Sequence, residues 1–416
     1  MQTAEPQSSL LTKASFVSML KIPTFNYATH PAVTAAIFKH HRESDFFTID
    51  NGPDSIFDFI SDMLRVENLK PDDIFFTCSP EMTTYYKKLL KNKLTPKTLE
   101  KYQTEIYASV RFTLRNWESA QKVNITQNTL PLVCDVMSTI LLGTWDIDGK
   151  LNYAMKEFFG YIEARFSRKE HNPQKLAIAR HYFWEIVSEA INNKKGLAGE
   201  LSDQCPNNQQ ILLIIFSLCF AGIDSTTQSI IYTVHKFAQD KALQKELYDE
   251  IFSLQKQNDE SLYTSANKSL LAQQIIMESL RMFTPVIGVT RVSKELFLKA
   301  SYEGKHVTRK IPKGEHIAPS QNLAARCPML FPQNPEKFNP KRHQFSAQLM
   351  TLPWLPFGSG KNSCPGWPVY KILVEMILAA MSQGYILSSE KEYEIEQVGS
   401  FINKLKEDVI VSISSK

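Results

Sequence analysis

Apolar residues recur three and four positions apart, with charges between them, in HPAVTAAIFKHH, PEMTTYYKKLLKN and TPKTLEKYQTEIYASVRFTLRNW. That spacing predicts amphipathic helices. Thr95 followed by Pro96 predicts an N-cap with proline at the first helical position. Further helices are expected to about residue 190, where KKGLAGELSDQCPNN, rich in turn formers, predicts a loop. The longest helix follows, roughly Gln209 to Gln239, a rod of about 45 Å. From Ile211 to Ala221 it is apolar on every face, as expected of a helix that crosses an interior. After a charged helix at about 241–256 and another at about 269–283, the period shortens to β-like runs. These are VTRVSKELFLK, KHVTRKIP, EHIAP and, near the end, DVIVSIS. The pattern predicts a mainly α fold with small β-sheets. No linker-like composition divides the chain, so residues 1–416 are expected to form a single domain.

Composition narrows the classes. Of 416 residues, 43% are hydrophobic and 11% aromatic, enough to fill a large core rather than a disordered tail. Lys and Arg number 47 against 43 acidic residues, and a net +4 spread along the chain is too weak for a nucleic-acid footprint. The six cysteines (Cys78, Cys134, Cys205, Cys219, Cys327 and Cys364) are scattered, unlike a disulfide scaffold or a zinc site. The start, MQTAEPQSSLLTKASFVSMLKIP, holds no apolar run of signal-peptide length. The longest apolar stretch, Ile211 to Ile223, falls short of the roughly 18 to 20 residues a membrane span needs. The expectation is a soluble, cytoplasmic monomer without a membrane span, compatible with an N-terminal anchor having been removed.

Three segments stand out chemically. In Phe357-Gly-Ser-Gly-Lys-Asn-Ser-Cys364-Pro-Gly366 the glycines allow a tight turn, and Cys364 sits just before a helical pattern whose free N–H groups favour a thiolate. One sulfur without nearby Cys or His partners suits a haem iron better than tetrahedral zinc. Alone, the loop fits a buried structural cysteine better. Glu278 and Arg281 share one helix face, which alone describes a common surface pair. Within the apolar central helix, Ala221-Gly222-Ile-Asp224-Ser225-Thr226-Thr227 combines small residues with an acid and hydroxyls. Buried polar groups cost free energy, so they need a reason, which could be back-bonding to helix carbonyls.

Together these pieces resemble the cytochrome P450 family. Its cysteine loop reads F-x-x-G-x-R-x-C-x-G, matched here at Phe357, Gly360, Cys364 and Gly366, with Asn362 where the family carries Arg or His. Its Glu-x-x-Arg helix is locked by a later P-E-x-F-x-P-x-R segment, and Pro335-Glu-Lys-Phe-Asn-Pro-Lys-Arg342 supplies that. Its A-G-x-[DE]-T-[TS] pattern is matched from Ala221 to Thr226, with Ser225 in place of Thr. The likeness runs from about residue 80 to the end and is densest over 209–380, the expected haem-binding core; the first eighty or so residues match weakly.

The resemblance implies a triangular helical prism around haem b, with a long central helix on one face of the haem and Cys364 as axial iron ligand on the other. It implies Phe357, Gly358, Gly360, Lys361, Gly366, Arg291, Lys87, Ala221 and Gly222 as cofactor contacts. Asp224, Ser225 and Thr226 become catalytic, through proton delivery. Glu278, Arg281 and Arg342 form a structural network, and Phe220, Val286 and Val289 line the substrate pocket. The implied function is a monooxygenase that inserts one oxygen atom from O2 into a small lipophilic substrate. Electrons would come from NAD(P)H through a ferredoxin, flavodoxin or flavoprotein reductase docked on Lys87, Lys88, Lys91, Lys361 and Lys371. A haem-thiolate isomerase or peroxygenase, or a non-catalytic haem-binding protein, are the alternatives.

Overall fold

Helices dominate the computed structural model, which describes residues 11–14, 25–28, 47–48, 55–258, 261–286, 290–292, 295–302, 305–319, 325–326, 331–343, 356–358, 363–393, 395–398 and 402–416. The helix expected in HPAVTAAIFKHH lies outside these residues. The described helices begin with α1 Ile56–Leu64, α2 Pro80–Leu90, α3 Pro96–Leu99, α4 Gln103–Ala120, α5 Ile125–Leu142, α6 Lys150–Ser167 and α7 Pro173–Asn192. They continue with α8 Gly196–Leu201, α9 Asn208–Gln239, α10 Lys241–Asn258, α11 Leu262–Lys268, α12 Leu270–Met282 and α13 Trp367–Gly384. Thr95 caps as expected, its Oγ1 accepting from the Thr98 N–H at 3.2 Å. The helix predicted to run on from there is broken by a 3-10 turn at Glu100–Tyr102.

The loop predicted in KKGLAGELSDQCPNN contains α8. Gly196 serves both a turn, at φ +57°, and close approach, since a Cβ on it would lie 2.4 Å from the Gly143 nitrogen; a Cβ on Gly199 would lie 2.1 Å from the Lys194 carbonyl carbon. Leu197, Ala198 and Leu201 are buried beneath this contact. A helix of small and apolar residues pressed onto the end of α5 is locally indistinguishable from a glycine-rich loop.

Helix α9 has 32 residues and starts where Asn207 Oδ1 accepts the Gln210 N–H at 2.9 Å. It packs against α5, α6, α7, α12 and α13, and its apolar residues join one continuous core cluster reaching from Phe59 to Ile413. Both α5 and α9 are long and apolar enough to cross a membrane, but most of each is buried inside the protein. The all-round apolarity read in the sequence is thus answered by protein on most sides.

Strands β1 Leu11–Ala14, β2 Phe25–Ala28, β3 Phe47–Thr48, β4 Lys122–Asn124, β5 Thr290–Val292, β6 Leu296–Tyr302, β7 Lys305–Ile311 and β8 His316–Pro319 precede α13. Strands β9 Tyr385–Ser388, β10 Ile395–Val398, β11 Ile402–Leu405 and β12 Ile410–Ser415 follow it. They form small sheets ordered β1-β2-β8-β5-β3, β4-β12-β9, β6-β7 and β10-β11. VTRVSKELFLK contributes two strands, β5 and β6, to separate sheets. DVIVSIS is β12, paired on both sides by β4 and β9.

Candidate active site

The cysteine loop is shaped by its backbone. Gly358 adopts φ +66°, a left-handed conformation that glycine takes without a Cβ penalty. The chain then returns so that the Cys364 N–H donates to the Phe357 carbonyl at 2.8 Å. The Phe357 ring packs on Trp367 and Tyr370 of α13, at centroid distances of 4.4 and 5.6 Å. Pro368 lies in the first turn of α13, where no N–H is needed. Burial pushes the Cys364 thiol up, against the N–H groups of Gly366 and Trp367 and the charge of Lys87, which pull it down. Yet the same residue is exposed. Protein thus surrounds most of the sulfur while the residue keeps accessible area.

The central helix opens at the matching place. Ile215 to Cys219, Ile223 and Asp224 are buried, whereas Ala221 between them is exposed. Tyr370 of α13 and Ser229 of α9 share a hydrogen bond of 2.7 Å, which ties the two helices. Ala221 lies about two helical turns before Ser229, and Cys364 lies in the loop just before the helix that carries Tyr370. The small pair divides in role: a Cβ on Gly222 would meet Met137 Cε of α5 at 3.1 Å, so Gly222 serves helix packing and Ala221 faces the open space.

Asp224 is 9% exposed, and its Oδ1 accepts from Gln228 Nε2 at 3.1 Å. Burial pushes its carboxyl up; Lys404 and Gln228 pull it back and Glu163 pushes it further. The Ser225 hydroxyl donates to the Ala221 carbonyl at 2.8 Å, the back-bonding weighed from the sequence, which leaves the lone pairs of Oγ free to accept. Thr227 bonds likewise to Ile223, and Thr226 is half-buried. Phe220 stacks between Phe76 and Phe216, at 5.5 Å from each, and meets Phe159 of α6 at 5.6 Å.

Glu278 and Arg281 are fully buried, and the partly buried Arg342 is brought to them. Arg281 Nε and Nη2 donate to the two Glu278 oxygens at 2.8 and 2.9 Å. Arg342 Nε adds a bond at 2.9 Å and the Asn339 N–H one at 2.7 Å. His343 Nε2, which the sequence gave no reason to include beyond its place after Arg342, completes the cluster at 2.8 Å. Burial alone would push the Glu278 carboxyl up. The bonds and charges of Arg281 and His343 overcome it and hold the carboxyl down at about 2.

Residues 118–401 match the family described as Cytochrome P450. The chain belongs to this family. The abscisic acid 8'-hydroxylase 4 of Arabidopsis thaliana is 26% identical to it over 338 residues, covering 74% of this chain and 68% of that protein. Taxoid 7-beta-hydroxylase of Taxus cuspidata is 24% identical, covering 63% of this chain and 56% of its own length. The chain therefore spans only part of these relatives. The crystal structure of the cytochrome P450DA heme domain superposes with a TM-score of 0.76 at 16% identity, covering 95% of this chain and 88% of that one, a likeness of fold. Family membership makes this cytochrome P450 an oxidoreductase of the monooxygenase type that uses haem iron and O2.

The remaining expected contacts of this P450 are spread unevenly. Gly360, Lys361 and Val289 lie outside the described residues, as does the side chain of Arg291, whose backbone pairs with His316 of β8. Gly366 stands beside the sulfur: a Cβ on it would lie 3.7 Å from Cys364 Sγ. Val286 is exposed and bridges to Ile402 ahead of Lys404. Lys87 donates to the Ser363 carbonyl at 2.8 Å, bracing the cysteine loop. Lys371 is held by Glu375 at 2.6 Å and Asn267 at 2.8 Å. Of the lysines expected to face a donor, Lys88 and Lys91 are exposed.

Proposed function

We propose that residues 1–416 act as one catalytic unit, a haem-thiolate monooxygenase for a small lipophilic substrate, reduced by a separate acidic electron-transfer protein. The observation that carries this reading is the desolvated Cys364 thiol just before α13, a helix tied through Tyr370 to the central helix that carries the exposed Ala221 and the buried Asp224. Cys364 would ligate the iron, with Phe357, Gly358 and Gly366 shaping its loop and Lys87 bracing it. Bound haem supplies the redox-active centre at which O2 is activated, and the thiolate donates electron density that favours O–O cleavage.

The protein's own contribution is placement. Ala221, small and exposed, would leave room for a flat ring. The rings of Phe76, Phe159, Phe216 and Phe220, with Val286, offer an apolar wall that excludes water and suits a lipophilic molecule. Asp224 retains a proton above the ordinary carboxylate range because it is buried. Ser225 Oγ, bonded to a carbonyl through its own proton, can accept a proton from the acid side and pass its own on.

A positioned proton donor contributes about 10² to 10⁴ in rate. Ser225→Ala should divert reducing equivalents to hydrogen peroxide, and Asp224→Asn should slow turnover by at least about 10²-fold. Ser225→Thr should retain or improve coupling. Haem content and the carbon monoxide spectrum should persist in all three. Wild-type product per reductant in Ser225→Ala, together with wild-type turnover in Asp224→Asn, would sink the relay and favour the isomerase or peroxygenase reading.

Donor docking is expected at Lys88 and Lys91, beside the Lys87 brace that touches the cysteine loop. Steering by exposed charges weakens as the Debye length falls to about 8 Å at physiological salt. Lys88→Glu with Lys91→Glu should slow first-electron transfer about tenfold at low ionic strength and flatten its salt dependence. Stopped-flow reduction rates indifferent to both changes would remove this surface from consideration.

A further inference from the structure

The peptide unit that leads into Cys364 is held at both ends. Its N–H, carried by Cys364, donates to the Phe357 carbonyl at 2.8 Å. Its C=O belongs to Ser363 and accepts from Lys87 Nζ of α2, also at 2.8 Å. A peptide unit is planar, so holding both polar ends fixes the plane from which the Cys364 side chain departs. Each end is anchored in a different helix. Phe357 packs on Trp367 and Tyr370 of α13, whereas Lys87 comes from the last turn of α2, 276 positions before Ser363.

A cation beside a haem pocket most simply pairs with a haem propionate, and the hydrogen bonds speak against that here. A lysine ammonium has three N–H donors. Two of them are committed to Ser363, one to its carbonyl and one to its Oγ at 3.3 Å. One turn earlier on the same helix, the Thr83 hydroxyl is also turned to protein, donating to the Ser79 carbonyl at 3.0 Å and lying 3.3 Å from Cys78 Sγ. Lys87 is half-buried, unlike the exposed Lys88 and Lys91, so salt screens its charge less than theirs.

We propose that Lys87 is a positioning residue that raises the redox potential of the iron through the Ser363–Cys364 peptide, and not a propionate partner. This rests on the reading of Cys364 as the iron ligand. Reduction adds one negative charge to a haem–thiolate centre. A cation anchored one residue from the sulfur, where water is partly excluded, stabilises that reduced state over the oxidised one. The same ammonium opposes electron density on the sulfur, so the iron–sulfur bond is weaker with it than without it.

Resonance Raman spectra and a spectroelectrochemical titration of the haem-loaded enzyme decide the matter. Lys87→Met should raise the iron–sulfur stretching frequency and leave the propionate bending band in place. At a fixed ambient potential its ratio of reduced to oxidised haem should fall about tenfold, a shift of about 59 mV for one electron. Lys87→Arg, which keeps the charge and the donors, should stay near the wild type, as should Ser363→Ala, which keeps the carbonyl. Both measurements read haem-bound protein only, and if the methionine variant holds none, the equally uncharged Lys87→Gln decides by the same shift. A propionate band that moves would overturn the assignment of Lys87. An unchanged iron–sulfur frequency and potential, with only a lower melting temperature, would reduce Lys87 to a mechanical brace and overturn it too. A wild-type enzyme with no iron–sulfur band would strike at Cys364 as the ligand, which none of the other outcomes touches.

Discussion

Replacing Cys364 with alanine is expected to abolish thiolate ligation and turnover while leaving the fold in place. The loop from Phe357 to Gly366 contains no other Cys or His that could take over as ligand. Its shape comes from the Cys364 N–H to Phe357 carbonyl bond and the packing of Phe357 on Trp367, neither of which uses the sulfur. The side chain is exposed, so its loss opens no cavity in the apolar core. Helical circular dichroism should match the wild type. The visible spectrum of the reduced, carbon monoxide-bound protein should lose its thiolate character, and a spectrum unchanged by the substitution would refute the ligand assignment.

Removing Glu278 is expected to have the largest effect on stability. Its carboxylate is inaccessible to water and sits among Arg281, Arg342 and His343. These partners are themselves tied into the following segment, Arg281 to the carbonyls of Ala325 and Pro335, Arg342 to those of Gln333 and Lys337. Breaking a buried pair by deleting one partner costs about 3 to 5 kcal/mol, because uncompensated charge stays behind. Against a total stability of roughly 5 to 15 kcal/mol, Glu278→Ala should barely fold or fail to retain haem at 37 °C. The pH dependence has a definite sign. Glu278 is held down at about 2 from an ordinary 4.5. Its contribution is therefore fully present above that ordinary value and is lost as the pH falls towards about 2. In urea denaturation the gap between wild type and a folded Glu278→Gln should be wide at pH 7 and narrow at pH 3. A gap independent of pH would mean that the charge is not what stabilises the cluster.

How much of this was legible beforehand depends on the range of the interactions concerned. Helix α9 was readable almost to the residue, because its amphipathic neighbours and its own apolarity are local signals, and Asn207 sits before it as a capping side chain. The cysteine loop was readable because a glycine turn, a nucleophilic sulfur and a following helix lie within a dozen or so residues. Helix α8 was misread because Gly196 answers to a contact with the end of α5 some fifty residues earlier, which no window of sequence contains. For the same reason the packing of Gly222 against Met137 of α5 could not be read in advance.

The sequence by itself determined the family, the ligand candidate and three members of the charge network, Glu278, Arg281 and Arg342, since each is written as residue types at fixed short spacings; His343 was added by the fold. Tertiary structure alone decided which polar groups act on one another. Nothing in IEARF or INKLK relates Glu163 to Lys404, 241 positions apart. Only the folding of α6 and β11 against α9 brings them together. Electrostatic coupling depends on distance and on exclusion of water, and both are properties of the folded chain.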